Sequence, residues 1–368
     1  LLFSRNFQGI WRKDSGISER ETKQLKKTID SLVAADAFEA GERKFFSAEH
    51  EEIASAATTD IYFVRTLEIL RGLGIENTPV TAEIFARKPG IMSGTPEALA
   101  LLEGLDLEVE ALPEGESFKR KDVLIRIRGP YGKFCVFETG LLGILASSCG
   151  WSTAAAEIMQ AAGDSPVTVF GARHLHPAVA PVMERAALIG GVGGASCILG
   201  AKEAGKVPSG TAPHSLILMI GDTVKAALAY HQLMPSSAAR IILADTFKDE
   251  AEESLRLAEA LGKDLYGVRL DTPGERGGVN PELVMEIRAR LDQSGYGHVK
   301  IFVSGGLTPE RIALLKEAGA DAFGVGSYIS GAKPIDMTMD LKEINGKAIA
   351  KRGRIPGITP NPKLKKYK

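Results

Sequence analysis

The sequence predicts an α/β protein in two parts: an incomplete parallel α/β barrel, and an N-terminal α+β sandwich domain that the C-terminal tail completes. Three observations predict it. From Ser165 onward, short apolar runs recur, each ending in polar or glycine residues and each followed by a helical segment. Before that point, strand-like runs follow one another with less helix between them. After residue 334, Asn345-Gly346 sits inside a strand-like segment as a hairpin turn would. Strand–helix alternation marks a parallel sheet wrapped by helices, whereas runs of strands mark an α+β unit.

The bulk numbers agree. A length of 368 residues suggests two domains, and 45 basic against 46 acidic side chains give no sign of a nucleic-acid or membrane surface. The hydrophobic share of 44% and the 40 glycines fit a glycine-rich α/β enzyme. Cys135, Cys149 and Cys197 make no C-x-x-C pair, so the expectation is a reduced, cytoplasmic protein without structural zinc. No apolar run looks close to the ~20 residues of a membrane span, and the opening residues lack an apolar core long enough for a signal peptide.

Residues 1–44 read as an extension. Residues 18–44 suit an amphipathic helix with Leu25, Ile29, Leu32 and Val33 on one face. The α+β domain covers 45–164 and 335–368. It begins with a helix, a break at Thr58-Thr59-Asp60 and a second helix that Thr59 or Asp60 caps and Gly72 or Gly74 ends. Strands follow at 80–88, 106–115 and 121–134, with a helix at 95–105 between them. In the last strand Val123, Ile125 and Ile127 alternate with Leu124, Arg126 and Arg128, as one polar face requires. Residues 137–164 form a long helical stretch of small residues. The hairpin at Asn345-Gly346 is expected to return to this domain as an extra sheet element, and the basic, proline-rich last residues are expected to be loose.

The barrel covers 165–334. Its strand ends are 167–177, 207–215, 240–250, 266–275, 300–309 and 322–330, fewer than the usual eight. Function in such a barrel sits at the strand C-termini, which here carry Arg173, His174, Thr211, His214, Asp245, Asp271, Ser304 and Ser327. The last two strands release into Ser304-Gly305-Gly306 and Gly324-Val325-Gly326-Ser327. Between them Thr308 caps a helix, Pro309 suits its first turn and Gly319 stops it. One glycine loop is only a tight turn. Two such loops one strand–helix unit apart can aim several backbone N–H groups at one phosphate.

The remaining strand ends form a chemical kit. Asp245 and Asp271 can bind ribose hydroxyls, hold Mg²⁺ or stabilise positive charge building on a sugar ring; each can also be a strand-end cap. Arg269 should point into the barrel and needs an anion, which is either a neighbouring aspartate or a substrate carboxylate. His214 is either a loop histidine with a satisfied ring or a nucleophile or acid/base group. His174-x-His176 lacks a third ligand at metal spacing. Phe170 and Tyr62 either stack on a flat ring or belong to the core.

In order along the chain, residues 58–63 (TTDIYF), 170–177 (FGARHLHP), 208–215 (PSGTAPHS), 243–250 (LADTFKDE), 268–273 (VRLDTP), 303–307 (VSGGL) and 322–327 (AFGVGS) together resemble nicotinate phosphoribosyltransferase in its short archaeal and bacterial form. The resemblance runs from about residue 45 to the tail. It implies that nicotinate and 5-phosphoribosyl 1-diphosphate give nicotinate mononucleotide and diphosphate, with ATP hydrolysed as co-substrate and Mg²⁺ accompanying the diphosphate. It also implies a homodimer or higher homo-oligomer with shared sites, Tyr62 approaching nicotinate from the neighbouring subunit. Phe170 and Thr211 would line the ring pocket, and Arg269 would bind the carboxylate. Ser304, Gly305, Gly306, Gly324, Gly326 and Ser327 would hold the ribose 5-phosphate. Arg173 would face the diphosphate, Asp245 and Asp271 the ribose and Mg²⁺, and His214 would be transiently phosphorylated.

This sequence departs from that pattern where His174 replaces a second arginine, and residues 1–44 have no counterpart. The nearest rival is quinolinate phosphoribosyltransferase, which shares the fold but needs a denser basic cluster for a dicarboxylate. Nicotinamide phosphoribosyltransferase carries an acidic group where Ala212 stands. A non-catalytic phosphometabolite-binding barrel is the rival of another class, against which Asp245, Asp271, Arg269 and His214 stand together.

Overall fold

The computed structural model describes residues 28–367 apart from positions 42 and 45. Much of the amphipathic helix expected at the N-terminus, Leu25 included, lies outside them. The described part corrects the rest. Only Leu32–Asp36 is helical, with Ser31 accepting from the Ala34 amide as its cap. Ile29 is buried and its amide bonds the Ser55 carbonyl at 2.8 Å, but Val33 is 79% exposed. Ile29, Leu32 and Val33 therefore do not share one buried helix face.

The first domain is built on an antiparallel sheet in the order Lys347–Ala348, Met337–Ile344, Pro79–Ala86, Val123–Pro130, Glu108–Ala111, Lys365–Lys366. Ile84 pairs with Ile125 on one side and Met339 on the other, so one apolar face runs across three strands. Asn345 (φ 50°) and Gly346 (φ 71°) are both left-handed, the backbone that a two-residue hairpin loop demands. The polar face is not open to water. Arg126 is 6% exposed and donates to Glu83 at 2.9 Å, Glu110 at 2.9 Å and the Thr359 carbonyl at 2.6 Å.

That network explains why the tail is held rather than loose. A buried ion pair needs its leftover donors and acceptors satisfied. The Thr359 amide donates to Glu83 at 3.1 Å, Asn361 Nδ2 donates to the Val123 carbonyl at 2.8 Å, and Lys365–Lys366 adds a strand beside Glu108–Ala111. A smaller correction concerns the helix Ile61–Gly72. Asp60 occupies its cap position, but its carboxylate accepts from Thr139 at 3.0 Å instead of capping.

The helix Glu138–Ala162 is the wall between the two parts. Leu141, Leu145 and Cys149 belong to the first core, and Ala155, Ile158 and Ala162 to the barrel core. Its small residues allow close approach: a Cβ on Gly190 of the neighbouring helix would come within 2.3 Å of the Ser152 carbonyl. Contrary to the sequence reading, Cys135–Ala162 is long and apolar enough to cross a membrane by length and composition. Here that apolarity covers two cores at once.

The barrel sheet is wholly parallel in the order Gly194–Ala195, Val167–Val169, Ala322–Val325, Lys300–Ser304, Gly267–Leu270, Ile241–Leu243. Among the described residues six strands make it, and its first and last strands are not paired, so the barrel is open along one seam. The strand expected at 207–215 is absent. Pro208 and Pro213 remove amide donors there, and Gly194–Ala195 takes the slot, with Ser209 bonding Ala195 at 2.9 Å. Thr308 caps the helix Pro309–Glu317, and Gly319 follows it at φ 105°, as the sequence predicts.

Candidate active site

A cavity of about 440 Å³ opens at the C-terminal ends of the parallel strands. Its wall includes Phe170, Arg173, His174, Thr211, His214, Arg269, Asp271, Ser304, Gly305, Gly306, Gly324, Gly326 and Ser327. Twelve of these thirteen carry assigned roles from the sequence; His174 entered as a strand-end residue, as half of the His174-x-His176 pair and as a departure from the family pattern. Two assigned residues are elsewhere. Asp245 lies behind His214, its side chain 1% exposed. Tyr62 stands on the first domain, 54% exposed, beside a separate cleft with Asp60, Phe63 and Thr139.

Arg269 is the hub. Residues two apart on a strand share a face, so Arg269 and Asp271 point into the barrel together. The Arg269 guanidinium donates from Nε to Ser304 Oγ at 2.9 Å, from Nη1 to Thr211 Oγ1 at 2.7 Å and from Nη2 to Asp271 Oδ2 at 3.1 Å. Ser304 Oγ in turn donates to Asp271 Oδ1 at 2.9 Å. Both oxygens of Asp271 are therefore occupied. Burial pulls the Arg269 guanidinium below its ordinary range, and the charges of Asp271 and Asp245 push the other way. Its Cζ lies 5.1 Å from the centroid of the Phe170 ring, a cation–π distance that holds the aromatic face in place.

The glycines make room for this hub. A Cβ on Gly324 would stand 2.3 Å from the Phe170 ring, so only glycine lets that ring lie flat on the strand. Gly305 (φ 92°) and Gly306 (φ 58°) take left-handed backbone, and Arg311 donates to the Gly306 carbonyl at 2.9 Å, bracing the turn from outside the cavity. A second chamber of about 480 Å³ continues past Arg269 along the seam of the barrel, where Tyr230, Phe302 and Phe323 join Phe170. Among the described residues, Arg269 is the one charged residue in its wall.

His214 opens the helix His214–Ile220, and its Nε2 lies 3.0 Å from Asp245 Oδ2. Burial pushes the Asp245 carboxyl above the usual carboxylate range, and the bond to His214 opposes it. Asp245 Oδ1 has no hydrogen-bond partner among the described residues. No group of three or more His, Cys, Asp or Glu side chains among the described residues could hold a metal by itself. Magnesium carried by a phosphate substrate needs only one or two carboxylates, and the orphaned oxygen of Asp245 fits that smaller demand.

Ser196 also lines the cavity, and the sequence reading missed it. Glu184, fully buried on the helix Ala180–Ile189, holds this stretch by accepting from Ser196 Oγ at 2.9 Å and the Cys197 amide at 2.6 Å. The available signal was one acid in an otherwise apolar helix face, a residue that burial makes costly without partners.

Comparison with known proteins agrees with this architecture. Residues 60–149 match the family "Quinolinate phosphoribosyl transferase, N-terminal domain", and residues 152–340, more than half of the chain, match "Quinolinate phosphoribosyl transferase, C-terminal domain". A crystal structure of nicotinate-nucleotide pyrophosphorylase from Pyrococcus furiosus superposes with a TM-score of 0.83 at 44% identity, covering 86% of this chain and 82% of that one. Nicotinate phosphoribosyltransferase pncB1 of Mycobacterium tuberculosis is 26% identical over 336 residues, 80% of this chain and 74% of that protein. Human nicotinate-nucleotide pyrophosphorylase [carboxylating] is 27% identical over 271 residues, 72% of this chain and 82% of that protein.

The open barrel, the sandwich domain and these matches define a phosphoribosyltransferase of the nicotinate/quinolinate type, an enzyme class of NAD biosynthesis. The chain belongs to the quinolinate phosphoribosyl transferase family.

Proposed function

We propose that within this family the chain is a nicotinate phosphoribosyltransferase. It joins nicotinate to 5-phosphoribosyl 1-diphosphate, releases diphosphate, and couples the step to ATP hydrolysis. The observation that carries this reading is the His214–Asp245 pair. With Nε2 tied to Asp245, Nδ1 is the nitrogen left to receive a phosphoryl group. Such a device has a use where the transfer needs an outside drive. A quinolinate enzyme has no such need, because loss of CO2 makes its reaction irreversible.

The ring nitrogen attacks the anomeric carbon as the diphosphate departs, so positive charge builds on the ribose. The chain's own groups supply orientation and charge. Arg269, already positioned by Ser304, Thr211 and Asp271, presents its guanidinium to one ring carboxylate, and Phe170 supports the flat ring. The glycine turns at 304–306 and 324–327 take the 5-phosphate, and Arg173, exposed and in the same cavity wall, meets the diphosphate. Asp271 faces the developing charge. Asp271, in the cavity wall, and Asp245, behind His214, are the carboxylates that would hold magnesium, which would supply charge screening for the diphosphate. In this proposal Tyr62, 54% exposed on the first domain, serves a second subunit's cavity in a homo-oligomer.

The second reading is quinolinate phosphoribosyltransferase. The matched family and the 44%-identical structure of a nicotinate-nucleotide pyrophosphorylase favour it. Against it, among the described residues the cavity wall holds two arginines and no lysine, few cations for a dicarboxylate together with a diphosphate. Incubation with γ-labelled ATP tests the proposal. Label recovered on His214 and lost in His214→Ala supports it; an unlabelled protein that makes product at the same rate without ATP overturns it.

A further inference from the structure

His174 stands where the resembling family carries a second arginine, and its place in the structure differs from what a diphosphate ligand would suggest. Nδ1 lies 2.9 Å from Ser330 Oγ, and Ser330, 5% exposed, also contacts the Gly326 carbonyl at 3.1 Å. The ring packs directly on the second glycine turn: a Cβ on Gly326 would be 2.8 Å from His174 Cε1. The exposed side chain therefore contacts the 324–327 turn, and it lines the same cavity as Arg173, Gly326 and Ser327.

The hydrogen bonds say what the free nitrogen can do. Ser330 has one hydroxyl proton and two neighbours that want it. If the proton goes to Nδ1, a neutral ring carries its own proton on Nε2. If it goes to the Gly326 carbonyl, Nδ1 must be the donor, and the ring offers a proton at Nε2 on becoming charged. In both arrangements Nε2 is the nitrogen with no partner among the described residues; it presents N–H to an anion in the first as a neutral ring, and in the second once the ring has taken up a proton.

We infer that His174 is a binding residue for the phosphate monoester end of the phosphoribosyl substrate, with Ser330 as its positioning residue, and that it does not replace the missing arginine at the diphosphate. The inference deepens the proposed function, resting on its assignment of the 5-phosphate to the glycine turns.

Calorimetric titration with ribose 5-phosphate and, separately, with inorganic diphosphate separates the two ends. His174→Gln and His174→Ala should weaken ribose 5-phosphate about tenfold, the loss of one charge-assisted hydrogen bond, while diphosphate affinity changes less than about twofold. Ser330→Ala should move the same ligand in the same direction by a smaller factor. Gly326→Ala serves as the control for the turn. If Gly326→Ala weakens ribose 5-phosphate and the His174 variants do not, the inference fails while the phosphate turn stands. If none of them does, the assignment of the turn fails with it. A His174 variant that loses diphosphate and keeps ribose 5-phosphate overturns the inference outright, as does one that lowers Tm and leaves both affinities intact.

Discussion

Asp245 Oδ2 lies 3.0 Å from His214 Nε2, across 31 residues of sequence, and this contact decides which face of the imidazole is available. Asp245 is almost fully enclosed while the His214 side chain is 37% exposed, so the pair is anchored at one end and open at the other. Asp245→Asn should keep the fold and remove the charge that favours a cationic or phosphorylated ring. We expect stimulation by ATP to fall at least about tenfold, the scale of a lost acid–base partner. Initial rates with and without ATP, alongside recovery of labelled His214, check it.

Arg269 tests recognition of the ring acid. Its guanidinium spends Nε, Nη1 and Nη2 on Ser304, Thr211 and Asp271, an arrangement no ammonium can copy. Arg269→Lys should raise KM for the pyridine carboxylate by about 10- to 100-fold, while KM for the phosphoribosyl substrate moves little. Steady-state kinetics with each substrate varied in turn read the difference. Equal rises in both KM values would place Arg269 in the scaffold instead.

Gly324→Ala tests the aromatic support. The added methyl would sit 2.3 Å from the Phe170 ring, so the ring must tilt away from Arg269. A shift on the scale of an ångström should lower kcat/KM for the ring acid by roughly 100-fold. Circular dichroism should show the fold kept. Unchanged kinetics would mean that Phe170 does not carry the ring.

Glu138 gives a pH prediction away from the cavity. Burial, with the Asp340 charge beside it, pushes its carboxyl up to about 7 from the ordinary 4.5, and Lys351 opposes the shift. The folded protein therefore holds a proton that the unfolded chain releases between those values. This contribution to stability is present below the window and is lost as pH rises through about 7. Glu138→Gln should add about 1–2 kcal/mol at pH 8 and little at pH 5, allowing for the partial exposure of the group. Urea unfolding at the two pH values measures it; a gain of equal size at both would contradict the assignment.

Much of this was legible in the sequence because it rests on local rules. Thr308 and Gly319 bound a helix, Asn345-Gly346 makes a hairpin, and glycines after successive strands mark turns at the barrel mouth. Twelve cavity residues could be named from their place at strand ends, which a parallel barrel gathers by geometry, together with the motifs that resemble a known family. What could not be read depends on contacts distant in sequence. The tail looked loose because its partners, Glu83 and Arg126, lie more than 200 residues away. Asp245 looked like a residue of the open mouth because nothing local shows that His214 covers it. A strand was expected at 207–215 because Gly194–Ala195 is too short and too small in side chain to read as one, while the proline-rich 207–215 resembled one.

The most direct test of the account is a comparison of kcat/KM for nicotinate and quinolinate with 5-phosphoribosyl 1-diphosphate, each with and without ATP. The account predicts nicotinate favoured by at least about 100-fold, with ATP raising its turnover. Faster turnover of quinolinate, with CO2 released and no response to ATP, would contradict it.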